Sequence, residues 1–235
     1  MFNLWRTSFI VVVALFFLVA CKQEAMEDHV EVAAKEEKVE SVEVSFEETI
    51  IDMYLPEENS EPRKTLITHV MLHFSSNVLK KPEDPFHVED IYELFRDYGL
   101  SAHYVIDRTG QIYRFVSEER IAYHAGEGKI EGILKYENNL NPYSIGIELL
   151  AIGTKEEMLP MLSAEHYDTI SSKHVGYTDE QYEALQDLLI NISTRQHKLK
   201  LDRNHIIGHQ EYAPERKTDP GALFDWERLM SGIEN

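Results

Sequence analysis

Apolar and polar positions alternate with different periods along this chain, and the periods predict its elements. Residues 65–75, TLITHVMLHFS, are β-branched and apolar, which predicts a buried strand with His69, Met71 and His73 on one face. After Pro85, residues Ile91, Leu94, Phe95 and Tyr98 recur at helical spacing, and Gly99 supplies a C-terminal stop. Residues 101–107 (SAHYVID) and 111–116 (QIYRFV) are strand-like runs on either side of Asp107-Arg108-Thr109-Gly110, a hairpin signal. Residues 144–151 predict a fourth strand and residues 205–208 a last short one. Thr178 and Gln181 form a capping box ahead of a long helix with the apolar face Tyr182, Leu185, Leu188, Leu189 and Ile192. Hairpins mixed with helix-linked strands predict an α/β fold, a mixed central β-sheet flanked by helices in a single domain. Residues 153–176 have no clear period and read as a loop insertion, a candidate wall for a binding groove.

The first 48 residues follow other rules. A head carrying Arg6 precedes an unbroken apolar run over residues 9–20, and Leu18-Val19-Ala20-Cys21 closes it. The run is twelve residues long, whereas a spanning helix needs roughly 20. Residues 1–20 are therefore expected to be a signal peptide. The closing tetrapeptide resembles the lipobox of bacterial lipoproteins, in which the cysteine carries the lipid. Cys21 is the single cysteine of the chain and can form no intramolecular disulfide, which favours lipidation over redox chemistry. An uncleaved anchor is the alternative. Either one places the remainder outside the cytoplasm, attached to a bacterial cell or outer membrane. Residues 21–48 are rich in Glu with Val and Ala interspersed, an acidic tether that buries too little apolar surface to fold. The folded domain is expected over residues 49–235, punctuated at its start by Pro56 and Pro62.

Composition narrows the possible partners. A chain of 235 residues, 43% hydrophobic, supports one sizeable core. Its formal net charge of -19 argues against a nucleic-acid partner, since a phosphate backbone would be repelled over most of the surface. Eleven histidines invite a metal reading, but only context separates ligands from ordinary histidines. His73 closes a predicted strand, and His209 follows another in GHQEYAPERKTDPG. Asp219 lies ten residues after His209 in a loop constrained by Pro and Gly. Two histidines and a carboxylate suit a catalytic zinc, because three ligands leave a fourth position for water or substrate. His69, on the same strand face as His73, is the alternative first ligand.

Several stretches, in order, resemble one family. They are VMLHFS around His73, SAHYVIDRTGQIYRFVSEE from Ser101, AYHAGEG from Ala122, NPYSIGIELLAIG from Asn141, YTDEQYEALQDLL from Tyr177 and GHQEYAPERKTDPG from Gly208. Together they cover most of residues 66–226, and the chain resembles the N-acetylmuramoyl-L-alanine amidases, which include phage amidase-type lysozymes and peptidoglycan recognition proteins. The resemblance implies Zn2+ held by His73, His209 and Asp219, with Glu148 as general base and Lys217 stabilising an oxyanion. A carboxylate such as Glu148 is out of place in the apolar strand SIGIELL unless it has a task. The implied reaction is hydrolysis of the amide between N-acetylmuramic acid and L-alanine, in peptidoglycan or muropeptides, by a monomer. A non-catalytic peptidoglycan-binding module is the alternative, since some relatives bind without cutting.

Other positions carry smaller expectations. His124, in Ala122-Tyr123-His124-Ala125-Gly126, lines the substrate groove or packs a loop, and Arg216 pairs with a peptide carboxylate or is solvated. His103 is expected to be a structural histidine. Ala102 departs from phage-type relatives that carry a catalytic tyrosine there, which leaves this chain to rely on Glu148.

Overall fold

The computed structural model describes residues 45–233. The signal-peptide reading, Cys21 and most of the acidic tether lie outside the described residues. Among those described, no helix is long and apolar enough to cross a membrane. The first described element is a 3-10 turn over Phe46–Thr49. Phe46 packs on the core, and Glu47 pairs with Arg114 and Arg195, so the end of the acidic stretch is held by both apolar contact and charge.

The strands and helices follow in chain order as β1 (Ile51–Asp52), β2 (Ser60–Pro62), β3 (His69–Ser75), α1 (Val88–Tyr98), β4 (Tyr104–Ile106), β5 (Ile112–Arg114), β6 (Arg120–Ala122) and β7 (Ser144–Leu150). They continue as α2 (Lys155–Met158), α3 (Ala164–Tyr167), α4 (Asp179–Arg195), β8 (Ile206–Gly208), α5 (His209–Tyr212) and α6 (Trp226–Ile233). Six strands form one sheet in the order β1-β5-β4-β7-β3-β8, and β2 pairs antiparallel with β6 in a separate ribbon. Strands β4, β7, β3 and β8 run parallel to one another, and the β4–β5 hairpin supplies the antiparallel pair. The α/β class with a mixed sheet flanked by helices holds.

Alternation along β3 and β7 divides the sheet's two faces. Val70, Leu72, Ile145, Ile147 and Leu149 face α4 and α6, where Tyr182, Leu185, Leu188, Leu189 and Ile192 complete the largest apolar cluster. The capping box of α4 is present, and the buried Gln181 side chain also donates to the carbonyls of Ile106 and Leu150 at the ends of β4 and β7. The opposite face carries α1, with Val88, Ile91 and Phe95 against Val105 and Phe115. Leu94 and Tyr98, expected on the buried side of α1, are instead 37% and 74% exposed. The first strand is also shorter than expected. Residues 65–68 bond to the turn at Asn141–Tyr143, through Thr65 Oγ1 to Pro142 O and Thr68 N to Tyr143 O, and only then does the chain enter the sheet.

The insertion at residues 153–176 is helical in part, through α2, α3 and a 3-10 turn at Ser172–His174. Thr154 caps α2, and Met158 and Leu162 bury against Val78 and Ile152.

Candidate active site

Three parallel strands end on one rim, and in such a sheet the carboxyl ends of the strands are where ligands bind. His73 and Glu148 are register partners near the ends of β3 and β7. His209 follows β8 directly as the first residue of α5. The loop after α5 returns Asp219 to the same point, fastened by Gln210 N–H to Asp219 O (2.9 Å) and Tyr177 Oη–H to Pro220 O (2.6 Å). The α2 carboxylate of Glu157 accepts from Ala222 N–H at 2.6 Å, so the insertion braces this loop.

His73, His209 and Asp219 are all buried, and their ligand atoms lie within 4.8 Å of one another. His73 Nδ1 is 2.8 Å and His209 Nδ1 3.1 Å from the same oxygen, Asp219 Oδ2. Burial favours a neutral Asp219, but its contacts with His209 and His73 outweigh this and hold the carboxylate well below its ordinary range. The hydrogen bonds around His209 bear on whether a cation fits between these groups. His209 Nε2 lies 2.9 Å from the Ala125 carbonyl, which can only accept, so the proton is on Nε2 and a lone pair at Nδ1 faces the carboxylate. A lone pair against a buried carboxylate oxygen is repulsive unless positive charge lies between them. Protonating His73 is opposed by burial, which pushes it down to about 4. One divalent ion satisfies all three groups, and two imidazoles with a carboxylate are a zinc-type donor set.

Glu148 stands beside this group. Burial pushes its carboxyl up to about 8; the Ser75 hydroxyl lowers it, the Asp219 charge raises it and Lys217 lowers it. Ser75 Oγ–H donates to Glu148 Oε2 at 2.6 Å. Ser75 was not singled out from the sequence, although the alternation His69, Met71, His73 continues to it. Lys217 is partly buried, and its charge reaches both Glu148 and His73 while its ammonium makes no hydrogen bond among the described residues.

The remaining candidates separate clearly. His69 lies at the opposite end of β3, with Nδ1 2.8 Å from Thr68 Oγ1 and its ring edge-on to Tyr136, away from the three-ligand group. His103 is fully buried; its Nδ1 accepts from Gly146 N–H at 3.0 Å and its Nε2 is 2.9 Å from the Arg63 guanidinium, a structural placement. Ala102 is buried in the α1 cluster. His124 joins the site from the side, with Nδ1 3.1 Å from His73 Nε2. Burial, and then the neighbouring imidazoles of His73 and His103, hold His124 well below the ordinary histidine value. Arg216 is exposed and donates to the carbonyls of Ala125 (2.9 Å) and Glu127 (2.5 Å), clamping the loop that holds His209.

Known proteins resemble this chain in sequence and fold. Residues 61–222 match the N-acetylmuramoyl-L-alanine amidase family. The chain is 34% identical over 145 residues to the 1,6-anhydro-N-acetylmuramyl-L-alanine amidase AmpD of Haemophilus influenzae, an alignment covering 62% of this chain and 62% of that relative. It thus spans about three fifths of the length of this curated relative. Among solved structures, a selenomethionine derivative of AmpD superposes with a TM-score of 0.57 at 27% identity, covering 79% of this chain and 94% of that one. The Escherichia coli amidase AmiD, in complex with the substrate anhydro-N-acetylmuramic acid-L-Ala-D-gamma-Glu-L-Lys, superposes with a TM-score of 0.52 at 25% identity, covering 73% of this chain and 60% of that one.

Proposed function

This chain belongs to the N-acetylmuramoyl-L-alanine amidase family, and on that footing we propose that it is a zinc-dependent hydrolase of the amide joining N-acetylmuramic acid to L-alanine in peptidoglycan or muropeptides. The observation that carries the reading is the convergence of buried His73, His209 and Asp219 beside a buried Glu148 with a raised pKa. A recognition-only module would need none of the proton chemistry that Glu148 offers. Likeness to AmpD and to AmiD with its anhydromuropeptide supports a muropeptide, including its 1,6-anhydro form, as substrate.

In this mechanism His73, His209 and Asp219 would hold the zinc, a set of two imidazoles and a carboxylate of the kind that serves catalytic zinc. Zinc bound there supplies Lewis acidity, drawing charge from the scissile carbonyl and acidifying the attacking water. Glu148 accepts the water proton as oxygen bonds to the carbonyl carbon, and Ser75 keeps its carboxylate oriented. Lys217 offers a positive charge to the developing oxyanion. Glu148 returns the proton to the L-alanine nitrogen as the C–N bond breaks, leaving a lactyl carboxylate and a free peptide amine. Arg216, exposed beside His209, offers a cation to a carboxylate of the peptide stem.

Incubating the zinc-loaded protein with peptidoglycan and with muropeptides is expected to release new L-alanine amino termini. Binding without release would leave the recognition-only reading. We further propose that the domain works outside the cytoplasm on a lipid attached at Cys21, a reading supported by the Leu18-Val19-Ala20-Cys21 sequence. Metabolic labelling with a fatty-acid precursor should mark the wild-type protein and not Cys21→Ser; equal labelling of both would refute the anchor.

A further inference from the structure

The second nitrogen of His73 has its own partner. Nε2 lies 3.1 Å from His124 Nδ1, with the two rings edge-on at 86°. His124 Nε2 in turn lies 3.1 Å from Ser144 Oγ, and Ser144 Oγ lies 3.0 Å from the carbonyl oxygen of Leu140. The last member sets the direction of every bond before it. A carbonyl only accepts and a serine has one hydroxyl proton, so Ser144 donates to Leu140 and its oxygen receives the Nε2–H of His124. A neutral His124 protonated on Nε2 presents a lone pair at Nδ1, which accepts from His73 Nε2–H. His73 is then left with its own lone pair on Nδ1, the nitrogen that faces Asp219.

The backbone seats this relay. Ser144, Gly146 and Glu148 share one face of β7, and a Cβ added to Gly146 would lie 2.5 Å from His124 Cγ. Glycine at that position gives the imidazole room to lie against the strand. Arg63 fixes the start of the same strand by donating to Ser144 O at 3.1 Å. Both ring nitrogens of His124 are therefore committed within the protein, and a hydrogen bond to substrate would have to break the relay.

Resting on the zinc-site reading above, we propose that His124 and Ser144 are positioning residues. They form a directed hydrogen-bond relay from Leu140 O that locks His73 in the tautomer presenting Nδ1 to the metal. His209 reaches the same tautomer through the Ala125 carbonyl, so the two zinc histidines are oriented by different outer partners.

The relay is read directly by NMR of the 15N-labelled, zinc-loaded full-length protein. We expect scalar coupling across an N–H···N hydrogen bond between His73 Nε2 and His124 Nδ1, with one proton on His73 Nε2 and the proton of His124 on its own Nε2. In competition with a chelator, His124→Ala should lower zinc affinity on the order of 10- to 100-fold, the usual cost of losing an outer partner. His124→Asn, whose side-chain oxygen can stand in for Nδ1 as acceptor, should recover most of that loss, and Ser144→Ala should weaken the His73–His124 coupling. A proton found on His124 Nδ1, no coupling in the zinc-loaded wild type, or wild-type zinc affinity in His124→Ala would overturn the relay while leaving the zinc site standing. A wild-type protein that takes up no zinc would overturn the zinc reading and the relay with it.

Discussion

Alanine in place of His209 is expected to leave the protein folded but unable to hold zinc or to cut the amide. His209 Nδ1 and His73 Nδ1 both lie against Asp219 Oδ2, so removing His209 leaves two of the three proposed ligands, too few to retain zinc. The fold should survive because the Ala125 carbonyl, released by the lost Nε2–H, keeps its bond from Arg216. Lewis-acid stabilisation of the transition state is worth several kcal/mol, and a loss of roughly 4 kcal/mol corresponds to about 10^3-fold in rate. Bound zinc, measured by atomic absorption after dialysis, should fall from one per chain to near zero, and hydrolysis should fall by at least about that factor. Loss of activity with a full zinc complement would mean that His209 serves substrate rather than metal.

Glu148→Gln separates proton transfer from metal binding. Glutamine keeps the shape and can still accept from Ser75, but it cannot take a proton from water, so turnover should drop by about 10^2- to 10^4-fold while zinc stays at one per chain. Wild-type turnover in this variant would sink the base assignment. The same pair of proteins carries a stability signature of definite sign. Burial raises the folded-state pKa of Glu148 from 4.5 to about 8, so after zinc is chelated the folded protein keeps a proton that the unfolded chain has released. The stability this group contributes is fully present below pH 4.5 and is lost as pH rises through 8. Glu148→Gln does not ionise and is spared that loss. In urea unfolding with chelator, the variant should gain on the wild type across this window, by a few kcal/mol at most.

What the sequence revealed depended on how much each element needed distant partners. Strands β3, β7 and β8 and helix α4 are long or apolar enough for their period to show, and the site hangs on those strands. His73 and Glu148 could be placed on one sheet because each stands out against an apolar run. Strands β1, β2 and β6 have two or three residues each and hold their shape only by pairing, so no local period announces them. Helix α1 showed its period but not which positions are covered, because the contacts of Leu94 and Tyr98 depend on how the helix lies on the sheet. The insertion did carry a local sign, Thr154 three residues before Glu157, and that capping box forms. The relay through His124 was not legible at all. It joins residues 51 and 20 apart in sequence and depends on an absent side chain at Gly146.

The most direct measurement is mass analysis of the products from a defined anhydromuropeptide, run with zinc, with chelator, and with zinc restored. The account predicts two products whose masses sum to substrate plus one water: a sugar with a free lactyl carboxyl and a peptide beginning with L-alanine. Both should vanish with chelator and return with zinc. Substrate left intact by the zinc-loaded protein, or cut within the peptide stem instead, would contradict it.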